Sequence, residues 1–532
     1  MNLLTFLHRW IGVVLALFML LWLVSGSIIA FVGSPSIGRA DRLAHGASLT
    51  PEDGWLSLGD ALRLSASARA KAAMPMQGRD DDHAKAPPDA IIVDARLARI
   101  DGAPFWLTED DRGRRFAISA RDGKVEEFSI GRAQRIARDW IRQDGASEAT
   151  VSLKYIDTSD TPVGVRNAQA LKPFHHFALA DGSGTNVVVS ARSGEVAQVA
   201  TRAQRAFSYI GDWLHLFRWL DLFGAGEYRR AALSWVGFFA TTGALTGLIL
   251  GWIRWRPGFF GRPTYTRGRM QPYREFWFKY HFWAGLIGGS FAALWAMSGY
   301  LSTNPWQIFS PAMVNREALT RYLGSDLPHV VAQWKPDASL AIDANVVELG
   351  WGRLGNEAVL VAYGRDGARE ALTLAQTNSR FDDEALLAAA QRLGGETKIA
   401  SHELLSAYDS YYFPGHRQAL SEKPLPVFRV DLADAGRTSL YIDPLDGRLL
   451  ARVDASRRAY RWLYSAVHHW DFGFFHHRVV WYGWMATWIA LGLALAASAV
   501  VLGWRRMRRT ISAAAVAARI KKAASLQTGE AR

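Results

Sequence analysis

The chain has no cysteine. That excludes disulfides, iron–sulfur clusters, zinc–thiolate sites and covalent haem attachment through C-x-x-C-H, so any redox group must be held by other ligands, with histidine the first candidate. Charge is scarce in four places. The runs 10–32, 231–253, 282–303 and 479–504 are nearly free of Asp, Glu, Lys and Arg, and each is about 20 residues or more, the length an α-helix needs to cross a bilayer core. Acidic residues are scarce just beyond two of these runs: 254–279 holds seven Lys/Arg against one Glu, and 505–532 holds eight against one. The net charge of +13 therefore points to no nucleic acid, because it lies beside apolar spans, where the positive-inside rule assigns it to the cytoplasm. The first run is too long for the apolar core of a signal peptide and no small-residue cleavage site follows it, so it reads as an uncleaved anchor.

These features predict a membrane protein, with a lipid bilayer as its first partner, both termini cytoplasmic and two large outer domains, periplasmic if the host is Gram-negative. The expected fold class is an α-helical four-span bundle with two α+β domains, each a helix plus antiparallel sheet. The order is a first span at 1–32, an outer domain at 33–206, an outer interfacial helix at 207–230, a second span at 231–253 and a cytoplasmic basic loop at 254–279. The second half repeats it: third span 280–303, outer domain 304–456, outer interfacial segment 457–478, fourth span 479–504 and cytoplasmic basic tail 505–532. Within the outer domains, FAISARDGKVE (116–126), VVVSARSGEVA (187–197), VLVAYGRDGARE (359–370) and LYIDPLDGRLL (440–450) each place a Gly-containing turn between strand-like runs, a hairpin signal. The polar stretch 74–89, with two prolines, reads as a loop.

The repeat is sharpest at the spans. LHRWIGVVLALFMLLWLVSG starts at Leu7, and YHFWAGLIGGSFAALWAMSG starts at Tyr280, 273 residues later. His8, Trp10, Gly12, Ser25 and Gly26 fall on His281, Trp283, Gly285, Ser298 and Gly299 without a gap, the pattern of a tandem duplication in parallel. Parallel repeats are related by a pseudo-two-fold axis along the membrane normal, so equivalent residues that point inward face each other. An interfacial histidine alone reads as a snorkelling side chain; two at one depth across an axis are what a bis-histidine haem b requires. His8 and His281 are the pair near the inner face. Outside, DWLHLFRWLD and SAVHHWD align loosely, setting His215 against His468, with His469 as a substitute ligand and His476 and His477 as competitors; that cluster also admits a bound metal ion. The other histidines (His45, His83, His329, His175, His176, His402 and His416) read as surface or structural. Glycine in the spans supports close helix packing, and Trp22, Trp235, Trp295 and Trp488 either line an electron path or fill the bundle. Among the outer aromatics, Trp213, Trp219, Trp462 and Trp470 mark where an acceptor approaches, and Arg218 and Arg461 either attract an anionic complex or anchor to headgroups.

The strings YDSYYFPGHRQAL and PLPVFRVDL (within 408–431), SLYIDPLDGRLLARVD (439–454), RRAYRWLYSAVHHWDF (457–472) and VLGWRRMRR (501–509) resemble the PepSY-associated transmembrane proteins of bacteria, and the resemblance extends along essentially the whole chain. It implies outer domains of PepSY type and a place among inner-membrane proteins of iron uptake, some of which are haem reductases that release iron from siderophores. The implied function is transmembrane electron transfer through two b-type haems to a ferric, siderophore-bound substrate, an oxidoreductase activity. Unlike relatives fused to flavin reductases, this chain has no flavin or nicotinamide domain, so electrons would come from quinol or a cytoplasmic reductase. The alternative is a membrane-anchored PepSY module that binds or inhibits a periplasmic protease or peptide.

Overall fold

The computed structural model describes residues 2–33, 35–73, 90–145, 152–160, 165, 168–311, 313–340, 342–374, 377, 379–416, 418 and 420–529. His83 and the loop expected over 74–89 lie outside the described residues. The chain divides into a helical unit (1–33, 209–310, 459–532) and a β-rich unit (34–208, 311–458).

Among the described residues of the helical unit, four helices are long and apolar enough to cross a membrane: Leu3–Phe31, Gly226–Arg254, Phe276–Ser302 and Arg478–Ala514. They agree with the four charge-poor runs to within a few residues, except that the fourth helix continues without a break from Arg478 to Gly529. The basic tail is alanine-rich over 513–518, and alanine has the highest helix propensity, so nothing local ends the helix at residue 504. The first span packs on the second and fourth, and the third packs on the same two. First and third are thus diagonal partners in a four-helix ring. Small residues sit where neighbours approach: Gly237 lies against the backbone of Tyr300, and Gly288 against Leu491.

The β-rich unit holds fifteen described strands. β1 (Ile92–Ile100), β2 (Ala103–Asp110), β3 (Arg115–Ser119) and β4 (Val125–Glu126) precede β5 (Leu153–Ser159), β6 (Phe174–Leu179), β7 (Asn186–Ser190) and β8 (Val196–Ala200). From the second polar segment come β9 (Val346–Leu354), β10 (Glu357–Gly364), β11 (Arg369–Leu372), β12 (Ile399–Leu405), β13 (Val427–Leu432), β14 (Ser439–Ile442) and β15 (Leu449–Val453). All four expected hairpins form, as β3–β4, β7–β8, β10–β11 and β14–β15. Their turns need left-handed backbone: Gly194 and Gly447 both have φ +70°, which glycine adopts without a Cβ penalty.

Two four-stranded sheets, β5–β8 and β12–β15, run in chain order, and each is covered by an amphipathic helix. Helix Ile130–Gln143 is capped by Ser129, whose side chain accepts from the Arg132 N–H, and buries Ala133, Ala137, Trp140 and Ile141 against Phe177, Val187 and Val189. Helix Asp383–Gly394 is capped likewise by Asp382 and packs on Phe428, Val430 and Ile442. Apolar residues three to four apart explain why each presents one face to its sheet.

The remaining strands do not form two separate sheets. They join in the order β11-β10-β9-β1-β2-β3-β4, because β1 pairs antiparallel with β9, Leu97 opposite Leu349. The two polar segments, expected as separate domains 33–206 and 304–456, therefore fold as one compact unit. Their hydrophobic faces explain the merger: Leu97 and Trp106 from the first segment share a core with Leu349 and Leu360 from the second. Buried charge crosses the same seam. Arg96 on β1 donates to Glu348 on β9 at 3.0 Å, sits 2.8 Å from Asp94 and 3.5 Å from Glu195, and Arg39 also bonds Glu348.

Removing one partner of a buried ion network strands the others. Arg96→Met is expected to destabilise the β-rich unit by about 3–5 kcal/mol, with part of the loss returned by adding Glu348→Gln. Urea midpoints from pulse proteolysis of the full chain would check this; an unchanged midpoint for the single variant would refute it.

Candidate functional site

Four histidines sit on or against the spans, and each is held in the same way. His8, in the first turns of the first span, places Nδ1 2.9 Å from the Gly243 carbonyl of the second span. A carbonyl can only accept, so Nδ1 carries the proton and Nε2 keeps its lone pair. His281, in the third span, places Nδ1 2.9 Å from Ser498 Oγ of the fourth. That hydroxyl donates its single hydrogen to the Leu495 carbonyl at 2.7 Å, so here too the serine oxygen accepts and the imidazole donates from Nδ1. The two ring centres are 6.2 Å apart, with 36° between their planes.

His215 and His468 repeat the device. Ser25 Oγ donates to the Leu21 carbonyl at 2.7 Å and lies 3.1 Å from His215 Nδ1. Ser298 Oγ donates to the Leu294 carbonyl at 2.7 Å and lies 2.9 Å from His468 Nδ1. The glycine after each serine lets the imidazole close: a Cβ on Gly26 would stand 3.2 Å from the His215 ring, and one on Gly299 3.7 Å from the His468 ring. No hydrogen bond among the described residues engages Nε2 of any of the four.

Local backbone explains why His468, and not its neighbours, takes the place equivalent to His215. Each follows a π-helical turn, Tyr209–Leu214 in one half and Arg461–Ala466 in the other, and π turns recur at functional sites because they re-aim the next side chain. Two residues after each histidine the chain turns left-handed, at Phe217 (φ +52°) and Trp470 (φ +51°). Those two rings then pack on equivalent span residues, Phe217 on Phe18 and Trp470 on Phe291. His469 is exposed, and His476 donates from Nε2 to the Asp471 carbonyl at 2.7 Å. Among the described residues no three His, Asp or Glu side chains converge on a metal-sized site, so the His468–His469–His476–His477 cluster offers no ready-made metal centre.

His8 and His281 line a cavity of about 1010 Å³, a volume that includes its open mouth. Its walls come from all four spans and are apolar except for His8, His281, Arg254 and Tyr273. Several of the span glycines make room instead of packing helices together. A Cβ on Gly12 would meet nothing within 4 Å, whereas one on Gly247 would stand 2.5 Å from His8 Cε1. The tryptophans divide. Trp22 lies 6.2 Å from the His215 ring and Trp488 stacks on Phe291 at 3.4 Å, but Trp235 is 61% exposed and faces out of the bundle. Arg461 is bound to Asp471 at 2.6 Å, so its charge is already matched and offers little to an anionic ligand; Arg218 is exposed. His45 and His175 are structural, one stacked on Trp140 at 3.8 Å, the other buried with Nε2 2.8 Å from the Phe128 carbonyl.

Sequence reasoning missed Ser498, the Gly243 carbonyl, Arg254 and Tyr273. The first two had a signal. LGW at 250–252 and at 502–504 sets the second span against the fourth in a register that matches Gly243 with Leu495 and Thr246 with Ser498.

Burial, reinforced by the neighbouring His469 and His215, holds the His468 imidazole well below the usual histidine range, and burial does the same for His215. The unfolded chain binds these protons near pH 6.5 while the folded chain does not, so their contribution to stability is whole above about pH 6.5 and is lost as pH falls below it. The thermal midpoint of the ligand-free protein should therefore fall between about pH 7 and pH 5, and fall less in a His215→Gln/His468→Gln double variant. Equal slopes in the two proteins would contradict this.

Residues 5–392 match the family described as the PepSY-associated TM region. His8, His215 and His281 lie inside the matched span, while His468 and the motif strings from 408 onward lie beyond it. No curated protein matches the chain. With most of its length matched, including the first three spans and three of the four seated histidines, the chain belongs to the PepSY-associated TM region family.

Proposed function

We propose that this chain is a tandem duplication in the bacterial inner membrane, with both termini in the cytoplasm and the β-rich unit in the periplasm. It carries electrons outward through two b-type haems to a ferric, siderophore-bound substrate. The observation that carries the reading is the common seating of four histidines in two pairs, each imidazole tied down at Nδ1 and left with its Nε2 lone pair. Ligating histidines are held this way, since the hydrogen bond at one nitrogen orients the ring and selects the tautomer for the other.

The separation of the inner pair would admit one metal between the two rings. An imidazole nitrogen lies roughly 1.1 Å from its ring centre and a metal–imidazole bond is about 2 Å, which sets ring centres about 6 Å apart; His8 and His281 stand at 6.2 Å. The apolar cavity around them suits a flat macrocycle. A haem b held between two imidazoles would supply one-electron chemistry and would offer its iron to no substrate. His8 and His281 would hold the inner haem and His215 and His468 the outer one, with His469 the nearest substitute.

The chain's own contribution is position. The first span is a continuous helix, and the 17 residues from His8 to Ser25 make about 25 Å of it. The two pairs thus stand toward opposite ends of the hydrocarbon layer, where moving a bare charge is costly. Gly12 and Gly247 keep the inner cavity open, and the π turns aim His215 and His468 at the serines. Each electron delivered outside converts one ferric ion to ferrous, which the siderophore's oxygens hold more weakly, and quinol or a cytoplasmic reductase supplies it. A PepSY module that only binds a protease or peptide gives no account of the matched histidines.

Haem per protein tests the ligands. His8→Ala and His281→Ala should each lose the inner haem, His215→Ala and His468→Ala the outer, and Gly247→Val should lower inner haem by displacing the His8 ring. Full haem content with unchanged spectra in both inner variants would overturn the assignment. For the activity, anaerobically reduced protein is mixed with ferric siderophores and a ferrous chelator. Reoxidation faster than in buffer, with chelator colour in step, is expected; none with any ferric complex would end the reductase reading even if haem is present.

A further inference from the structure

The inner cavity holds one cation that its own walls do not explain. Arg254 is the last residue of the second span and lines the cavity with Tyr273, beside His8 and His281. Its guanidinium bonds the Tyr273 hydroxyl and reaches Thr5 Oγ1 at 3.4 Å. Both partners are neutral, and among the described residues no carboxylate forms an ion pair with Arg254. By contrast Arg229, in the first turn of the second span helix, pairs with Asp221, and Arg505, just past the fourth charge-poor run, pairs with Glu275. A guanidinium cannot shed its proton, so at the edge of an apolar cavity its charge favours an anionic partner, and its forked N–H groups suit a carboxylate held bidentately. Tyr273 is itself fixed, stacked on Phe278 at 5.8 Å and tilted against Phe282 at 5.9 Å, so the phenol that bonds Arg254 keeps the guanidinium at the cavity wall.

We infer that Arg254, steadied by Tyr273, is the anchor for the carboxylates of an anionic macrocycle in this cavity and sets which edge of it faces that end of the bundle. The inference rests on the haem reading of the same cavity. Arg254 is a positioning residue: it touches neither iron nor substrate, and its effect is on which macrocycle is retained.

The test compares ferric protoporphyrin IX with its dimethyl ester, which is the same ring without the two negative charges. Haem-free full-length protein carrying His468→Ala, so that only the inner pair takes up the ring, is titrated in detergent with each compound. The same titrations are made after adding Arg254→Gln or Arg254→Lys. A hydrogen-bonded charge pair corresponds to a preference of roughly tenfold to a hundredfold for the free acid. That preference should vanish with Arg254→Gln and return only in part with Arg254→Lys, which restores the charge but not the fork, while the low-spin spectrum persists in all three. The ester arm needs no variant, so a poorly folding substitution does not blunt the test. Equal binding of acid and ester by the Arg254-containing protein overturns the anchor and leaves the haem reading standing. A preference that survives Arg254→Gln does the same. Equal binding together with loss of co-purifying phosphatidylglycerol in Arg254→Gln would assign the cation to a lipid headgroup and overturn it too. No uptake of either ring sinks the haem reading with it.

Discussion

A serine hydroxyl has one hydrogen, and where that hydrogen goes decides what the neighbouring imidazole can do. In Ser25, Ser298 and Ser498 it is committed to a carbonyl one turn back in the same helix. The oxygen can then only accept, so the histidine beside it must donate from Nδ1 and expose a lone pair at Nε2. At His8 the Gly243 carbonyl does the same work without a serine. Four imidazoles in one tautomer follow from four oxygens, and the spacing of the spans, the glycines and the π turns all serve to bring those oxygens and rings together.

The helical ring makes this possible by keeping diagonal partners apart. First and third spans each pack on second and fourth, so inward-facing groups on the diagonal look across open space instead of into a neighbouring backbone. Glycine has opposite uses within the same bundle. At Gly237 and Gly288 it lets helices touch, as expected where lipid offers no hydrophobic drive to association. At Gly12 it leaves volume unfilled, and at Gly247 it yields to the edge of an imidazole. The same residue type is therefore uninformative until its neighbours are known.

The β-rich unit shows a different economy. Its four hairpins and the two helices that cover the smaller sheets are locally specified, by capping residues, amphipathic spacing and left-handed glycines. Their assembly is not. β1 pairs with β9 across about 250 residues of chain, and the seam is closed by shared apolar residues and by the buried Arg96 network, which no local rule anticipates.

The linear sequence by itself determined the number of the spans and the place of each along the chain, because a run without charge is a property of composition. It determined the hairpins, because turn chemistry is local, and it matched His8 with His281 because that repeat has no gap. The family was legible for the same reason, in strings of adjacent residues. Only the tertiary structure decided what those residues meet. The fourth helix runs through the basic tail because nothing local stops it. The two polar segments fuse because their exposed edges and apolar faces fit one another. His468 takes the place of His215's counterpart because a π turn and a left-handed residue orient it, while His469, one position on, is left exposed. Ser498 meets His281, and Arg254 stands beside His8, across more than 200 residues of chain; a repeat in the sequence can align such residues, but only packing in three dimensions brings them together.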